Sequence, residues 1–136
     1  MLWSLRTLQS PLIKVSPRAE PYPFISHANH ANHSVFITGG ARGIGKSIAL
    51  SLDKAGASQI ALGDIIPFGD IEEELWRVAT ENRKSPPRVL LLPLDVTDEH
   101  NVAEASTGVK EKFNKLDIVI QNAGYCSAQT SVLHIN

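Results

Sequence analysis

The sequence predicts an α/β fold, a doubly wound parallel sheet in the order β-α-β-α-β-α-β. Four short apolar runs alternate with three amphipathic segments, and this alternation is typical of parallel strands joined by right-handed helical crossovers. The length of 136 residues suits one domain. A hydrophobic content of 43% is sufficient for a packed core.

Residues 1–33 precede this pattern and are predicted to be an irregular N-terminal extension, with the domain proper at 34–136. The segment contains four prolines, and its basic residues Arg6, Lys14 and Arg18 come before its first acidic residue, Glu20. This composition is that of a mitochondrial presequence. Because prolines interrupt a long amphipathic helix, we expect a cytoplasmic protein, with mitochondrial targeting as the alternative. His27, His30 and His33 are read as part of a polar linker, because no cysteine or carboxylate lies nearby to complete a metal site.

The first predicted strand, Ser34–Thr38, stops at a glycine pair. A helix follows, with Ile44, Ile48, Leu52 and Ala55 on one face and Gly56 as its C-terminal cap. The second predicted strand is Gln59–Asp64.

Asp70 and Glu73 predict a capping box at the start of the second helix. Its expected buried stripe is Ile71, Leu75 and Val78, and its expected basic end is Arg83 and Lys84. Residues 88–95 form a continuous apolar run, which predicts a third strand covered on both faces.

Thr97 or Asp98 is expected to cap the third helix. The face of that helix comprises Val102, Ala105, Val109 and Phe113. Leu116–Gln121 is the fourth predicted strand.

The turn after the first strand is rich in glycine, from Thr38 through Gly39, Arg42 and Gly43 to Ile44 and Gly45. Glycines there permit a tight turn, a close approach of backbone to phosphate, and close packing of helix on strand. The free N–H groups at the helix start can then hold an anion. The position between a strand and a helix favours a dinucleotide-binding site.

Asp64 ends the second strand, where a carboxylate can accept hydrogen bonds from an adenosine ribose and repel a 2′-phosphate. A competing interpretation is a nucleoside triphosphatase, because Gly40 to Ser47 also fits the phosphate-loop pattern. In that case Lys46 would contact phosphates and Asp95 would help to hold Mg²⁺. That interpretation leaves Asp64 and the Asn122–Gly124 turn unexplained.

These residues resemble the short-chain dehydrogenase/reductase family, through the glycine segment, Asp64, Asp95-Val96 and Asn122-Ala123-Gly124, in the family's order. The resemblance implies a Rossmann-like fold in which the glycine segment holds the pyrophosphate and Asp64 selects NAD over NADP. It implies that Asp95 and Val96 contact adenine, and that the Asn122 turn lies beside the cofactor. Arg42 stands where some NADP-preferring members carry a basic residue.

The same resemblance implies an oxidoreductase that moves a hydride between the cofactor and an alcohol or carbonyl substrate. The family's catalytic serine and Tyr-x-x-x-Lys pair are absent, since Tyr22 and Tyr125 are followed four residues later by Ser26 and Gln129. We therefore expect a truncated cofactor-binding half with no catalytic residue and no activity of its own. A non-enzymatic nucleotide-binding or interaction module is the alternative. In the family's strand order, Leu116–Gln121 would be an uncovered apolar edge open to self-association.

Composition excludes several other classes. The net charge of −1 and pI of about 6.5 argue against a nucleic-acid partner. No apolar run reaches the ~18 residues of a membrane-spanning helix. Cys126 is the one cysteine, so no internal disulfide framework is expected.

Overall fold

The computed structural model describes residues 30–82 and 84–125. Within them lies a four-stranded parallel sheet in the order β3-β2-β1-β4. The strands are β1 (Ser34–Thr38), β2 (Gln59–Asp64), β3 (Arg88–Pro93) and β4 (Ile118–Gln121). The helices are α1 (Gly43–Lys54), α2 (Ile71–Glu81) and α3 (Glu99–Phe113). The predicted element order and doubly wound α/β fold are confirmed.

The core lies on both faces of the sheet because neighbouring strand residues point in opposite directions. Val35 and Ile37 of β1 pack toward α1 and α2, whereas Phe36 packs toward α3 with Val109 and Phe113. Ile37 is fully buried, and burial of such a side chain stabilises a fold by roughly 1.5–3 kcal/mol. Helices on both faces leave the strand ends as the open part of the sheet.

The predicted apolar face of α1 is confirmed for Ile48 and Leu52, which pack on the core, and for the buried Ala55, and it is wrong at Ile44. The buried residues are Gly45, Ala49 and Asp53, whereas Ile44 is 73% exposed. Gly45 faces the glycine turn, where a Cβ would lie 2.1 Å from the carbonyl oxygen of Gly39. This close contact of helix and turn leaves the neighbouring Ile44 exposed.

The capping box predicted at Asp70 and Glu73 does not form. Asp70 is the N-cap residue of α2, but its side chain makes no capping hydrogen bond and its carboxylate lies 3.9 Å from Lys46 Nζ. Ala79 is fully buried where Val78 was expected. Arg83 lies outside the described residues, and Lys84 follows the helix and donates to the carbonyl of Lys54.

The third and fourth strands are shorter than predicted. β3 stops at Pro93 and lies at an edge of the described sheet, so its apolar side chains are only half-buried. The prediction of cover on both faces is confirmed, because Val89 and Leu91 pack on one core cluster and Leu90 and Leu92 pack on the other. The apolar run did not indicate that the strand lies at an edge. β4 begins at Ile118, and Leu116 packs before it against the α3 face. Asp98, not Thr97, caps α3, accepting from the N–H groups of His100 and Asn101.

The amino ends of β1 and β4 are joined by side-chain hydrogen bonds. Asp117 Oδ2 accepts from the Ser34 N–H at 2.8 Å and from the Ser34 hydroxyl at 3.2 Å. Lys115 Nζ lies 3.0 Å from the same carboxylate oxygen. The Ser34 bonds and the Lys115 ammonium hold the pKa of Asp117 at about 2. This clasp fixes the sheet at the end opposite the glycine turn.

No helix within residues 30–82 and 84–125 has the length and apolar character needed to cross a membrane.

Candidate functional site

A cleft of about 540 Å³ opens at the carboxyl ends of the strands. β1 lies between β2 and β4, so the strand order proceeds in opposite directions on its two sides. Ligands of such sheets bind at this point of reversal. Most of the predicted site residues line this cleft: Gly39, Arg42, Gly43, Ile44, Asp64, Asp95, Val96, Asn122, Ala123 and Gly124. Residues widely separated in the sequence thus meet at one place.

Thr38 and Gly45 were predicted as site residues but shape the cleft rather than line it. Thr38 Oγ1 accepts hydrogen bonds from the N–H groups of Asn122 at 3.2 Å and Ala123 at 3.1 Å. Gly45 allows α1 to touch the glycine turn, as described above. Both residues hold other site residues in place.

Asn122 ties the end of β4 to the glycine turn. Its Nδ2 group donates to the carbonyl oxygens of Thr38 and Gly39, each at 3.1 Å. Gly39 has a φ of +69°, and a Cβ there would lie 2.9 Å from both Ala123 Cα and Asn122 Nδ2. The two walls of the cleft are therefore in direct contact at its base.

The N-terminus of α1 is open toward the cleft. Arg42 is its N-cap residue, with extended backbone and no side-chain capping bond, and its first turn holds no acidic residue. Gly43 has a φ of +57°, and nothing lies within 4 Å of a Cβ built there. The first N–H groups of a helix have no intrahelical acceptor and carry partial positive charge. This end of α1 can therefore bind an anion.

Asp64 forms the opposite wall at the end of β2 and is half-buried. Its Oδ2 accepts from the Ala41 N–H at 3.0 Å, and its Oδ1 accepts from the Ile66 N–H at 3.3 Å. An ionised carboxylate accepts about four hydrogen bonds. Two backbone bonds therefore fix the group and leave it able to accept from a ligand hydroxyl.

Asp95 closes a third side of the cleft. Its Oδ1 accepts from the Thr97 hydroxyl at 2.6 Å and the Thr97 N–H at 2.9 Å, and these bonds lower the pKa of the carboxyl. Sequence reasoning missed the role of Thr97, although Asp-x-Thr is the spacing of a local side-chain turn. It also missed further lining residues, namely Ile65, Ile66, Leu94 and Tyr125, which no motif marks.

Lys46, the cation of the phosphate-loop alternative, is not among the residues lining the cleft. Its Nζ lies 2.5 Å from Glu74 Oε1, in a half-buried pair that joins α1 to α2. This position favours the dinucleotide interpretation of the glycine turn. Across the part of the chain that the structure describes, no three His, Cys, Asp or Glu side chains are grouped to hold a metal ion.

Comparison with known proteins agrees with this geometry. Residues 33–136 match the sequence model described as short chain dehydrogenase. The short chain dehydrogenase pigC of Monascus ruber is 39% identical over 107 residues, covering 77% of this chain and 35% of pigC. Hydroxysteroid dehydrogenase-like protein 2 of Bos taurus is 36% identical over 98 residues, covering 71% of this chain and 23% of the relative.

Solved structures give the same result. Carveol dehydrogenase from Mycobacterium avium, determined in complex with NAD, is 31% identical with a TM-score of 0.55, covering 71% of this chain and 37% of that one. The chain thus spans between 23% and 37% of the length of these relatives. On the family match, the fold and the ordered motifs, the chain belongs to the short-chain dehydrogenase/reductase family.

Proposed function

We propose that the cleft binds a nicotinamide dinucleotide, with NAD(H) preferred over NADP(H). The observation that carries the proposal is the open N-terminus of α1, which meets a cleft whose opposite wall holds the Asp64 carboxylate. An anion site and a hydroxyl acceptor on facing walls match a pyrophosphate joined to a ribose.

Each part of the cofactor has a counterpart in the cleft. The N–H groups at the start of α1, from Gly43 onward, receive the pyrophosphate. Asp64 receives the adenosine ribose, and the Asp95-Val96 segment borders the adenine. The turn that begins at Asn122 borders the part of the cofactor that leads to nicotinamide. These roles follow the family pattern, residue by residue.

The preference for NAD(H) rests on Asp64. A 2′-phosphate placed beside this carboxylate meets like-charge repulsion and removes the ribose hydroxyl that the carboxylate would bind. Arg42 opposes this effect, since it also lines the cleft and carries the positive charge that a phosphate favours. Asp64 prevails because its two backbone bonds fix its charge in the cleft, whereas Arg42 is exposed.

Calorimetric titration of the chain with NAD⁺ and NADP⁺ tests this proposal. We expect tighter binding of NAD⁺, and Asp64→Ala should narrow or reverse the preference. Asp70→Ala is the matched control, because it removes an exposed carboxylate outside the cleft and should leave the preference unchanged. Tighter binding of NADP⁺ by the unmutated chain would show that Arg42 governs the site.

We propose further that the whole protein is an oxidoreductase that transfers a hydride between this cofactor and an alcohol or carbonyl compound. Proton transfer in that chemistry needs a positioned acid or base, and the family's serine and Tyr-x-x-x-Lys pair are not among these 136 residues. The chain by itself should therefore bind cofactor without turnover. Cofactor- and substrate-dependent reduction of NAD⁺ by the purified chain, at rates typical of dehydrogenases, would contradict this.

A second candidate role is self-association through β4. This strand is an edge of the described sheet, and Val119 on it is 52% exposed. Exposed apolar edges pair with other chains, and we propose a second copy as the partner. Analytical ultracentrifugation should show a concentration-dependent dimer that Val119→Lys weakens. A monomer at all concentrations would contradict the role.

A further inference from the structure

Two histidines of the predicted linker meet in space. His30 Nδ1 and His33 Nδ1 lie 3.2 Å apart, and the ring centroids are separated by 5.4 Å at an angle of 54°. Without a metal, one ring must donate this hydrogen bond and the other must accept it. The two Nδ1 atoms therefore face each other across this distance.

The separation matches two ligands of one metal ion. Imidazole nitrogens bind Zn²⁺ at about 2.0–2.1 Å, so two of them are roughly 2.9 Å apart at a right angle and roughly 3.4 Å apart at the tetrahedral angle. The observed 3.2 Å lies between these values. An ion that replaces the shared proton would therefore keep the two nitrogens near their present separation.

The backbone around the pair is held by the domain. The His30 N–H donates to the Ala55 carbonyl, and the His33 N–H donates to the His30 carbonyl. The His33 carbonyl accepts from the Ser58 and Gln59 N–H groups. Lys115 Nζ donates to the carbonyl of Asn32, whose φ is +66°. These bonds fix the turn from both sides, and fixed ligands bind a metal with less loss of conformational freedom.

We propose that His30 and His33 form a binding site for a divalent transition-metal ion, with Nδ1 of each ring as a ligand. Imidazole suits Zn²⁺, Cu²⁺ and Ni²⁺, whereas Mg²⁺ and Ca²⁺ prefer oxygen ligands. His27 continues the three-residue spacing in the sequence and lies outside the described residues. Two histidines suffice for the proposal, with water filling the other positions. The site lies at the amino end of the sheet and is independent of the dinucleotide cleft.

Calorimetric titration with ZnCl₂ tests the site, in a Cys126→Ser background that removes the thiol as a competing ligand. We expect one Zn²⁺ per chain, with affinity reduced at least ~10-fold by His30→Ala and by His33→Ala. MgCl₂ should give no binding. The matched control is His100→Ala, which removes an exposed histidine that pairs with Glu104 at 3.2 Å on α3 and should leave Zn²⁺ affinity unchanged.

A second measurement uses the chain with both histidines intact and so does not depend on the variants folding. In long-range ¹H–¹⁵N NMR spectra, the Nδ1 resonances of His30 and His33 should shift on addition of Zn²⁺. Lowering the pH should reverse the shift, because only neutral imidazole binds metal. Three results would overturn the proposal: unchanged affinity in the His30→Ala/His33→Ala double variant, loss of binding in His100→Ala, or metal-induced shifts at Nε2 alone.

Discussion

The two ends of the sheet are built differently. At the amino end, side chains close the structure, because Asp117 accepts hydrogen bonds from Ser34 and pairs with Lys115. At the carboxyl end, glycine backbone forms the turn, and the first turn of α1 has neither a capping side chain nor an acidic residue. Side-chain hydrogen bonds thus stabilise one end, while open backbone donors leave the other available to a ligand.

Two helix N-termini at the carboxyl end sharpen this contrast. Asp98 caps α3 through two backbone N–H groups, whereas Arg42 at the same position of α1 makes no side-chain cap. A missing cap costs about 1 kcal/mol. Of these two helices, the uncapped one begins in the cleft, where a bound anion would take the place of the cap.

The largest effect is expected where glycine backbone itself makes the packing contact. Gly45→Ala places a Cβ 2.1 Å from the Gly39 oxygen and 2.6 Å from Asn122 Nδ2, so the free energy of unfolding should fall by about 3 kcal/mol, the upper end of the usual cost of overpacking. Gly108→Ala on α3, where nothing lies within 4 Å, should instead gain up to ~1 kcal/mol. Urea denaturation measures both, and similar stability in the two variants would contradict the assigned contact.

Asp53 concerns the opposite end. It is 1% exposed, and Asp53 Oδ2 has no hydrogen-bond partner among the described residues. Burial raises the pKa of Asp53 to about 6, with Lys84 opposing the shift. The folded state therefore binds the proton more tightly, so this group makes stability fall as pH rises from about 4 to about 6.

Asp53→Asn should remove this pH dependence and stabilise the chain at pH 7 by about 3 kcal/mol. Dinucleotide affinity should not change, because Asp53 lies at the far end of α1. Denaturant unfolding at pH 4 and pH 7 measures the difference, with Asp70→Asn as the exposed control. A variant less stable than the unmutated chain at pH 7 would show that the ionised carboxylate is satisfied in the fold.

A comparison of substitutions at Gly43 and Gly69 distinguishes an effect on ligand binding from an effect of backbone strain. Both have positive φ, +57° and +58°, and in both cases nothing lies within 4 Å of an added Cβ. Valine at either position should therefore lower the free energy of unfolding by a similar amount, roughly 1–2 kcal/mol. Only Gly43 lines the cleft, so only Gly43→Val should abolish binding of NAD⁺ by calorimetry. Equal binding of NAD⁺ by the two variants would show that the pyrophosphate does not bind at this turn.

The smallest change in stability is expected from exchanging the caps. Arg42→Asp supplies a capping carboxylate where the backbone is already extended. The substitution should raise the free energy of unfolding by roughly 1 kcal/mol and weaken dinucleotide binding. Asp98→Ala should lower the free energy of unfolding by a similar amount and leave dinucleotide binding unchanged. Thermal unfolding and calorimetry together measure both effects. Tighter binding by Arg42→Asp would contradict the anion site.

The sequence predicts what repeats along the chain and misses what depends on neighbouring elements. The alternation of apolar runs and amphipathic segments predicted the fold, and the glycines together with the strand-end polar residues predicted the cleft. The exposure of Ile44 was not predictable from hydrophobicity, because it depends on the backbone contact made by the neighbouring Gly45. The edge position of β3 depends on strand order, which its own apolar residues do not encode.

Within the site, motif residues were found and their supporting neighbours were not. Thr38 Oγ1 holds the Asn122 turn across the sheet, which only the parallel pairing of β1 and β4 brings about. Thr97 fixes Asp95 through a local turn, a signal that was present in the sequence. The pairing of His30 with His33 also depends on the domain, since their turn is held by Ala55 and Gln59.

The most direct test of the central claim is an ¹⁵N NMR titration of the chain with NAD⁺, following each backbone amide. The account predicts the largest shifts at the first N–H groups of α1, those of Gly43, Ile44 and Gly45, and no comparable shifts at His100 and Asn101, whose N–H groups are already bonded to Asp98. Saturation of binding with the α1 amides unmoved would contradict the claim that this open helix end holds the pyrophosphate.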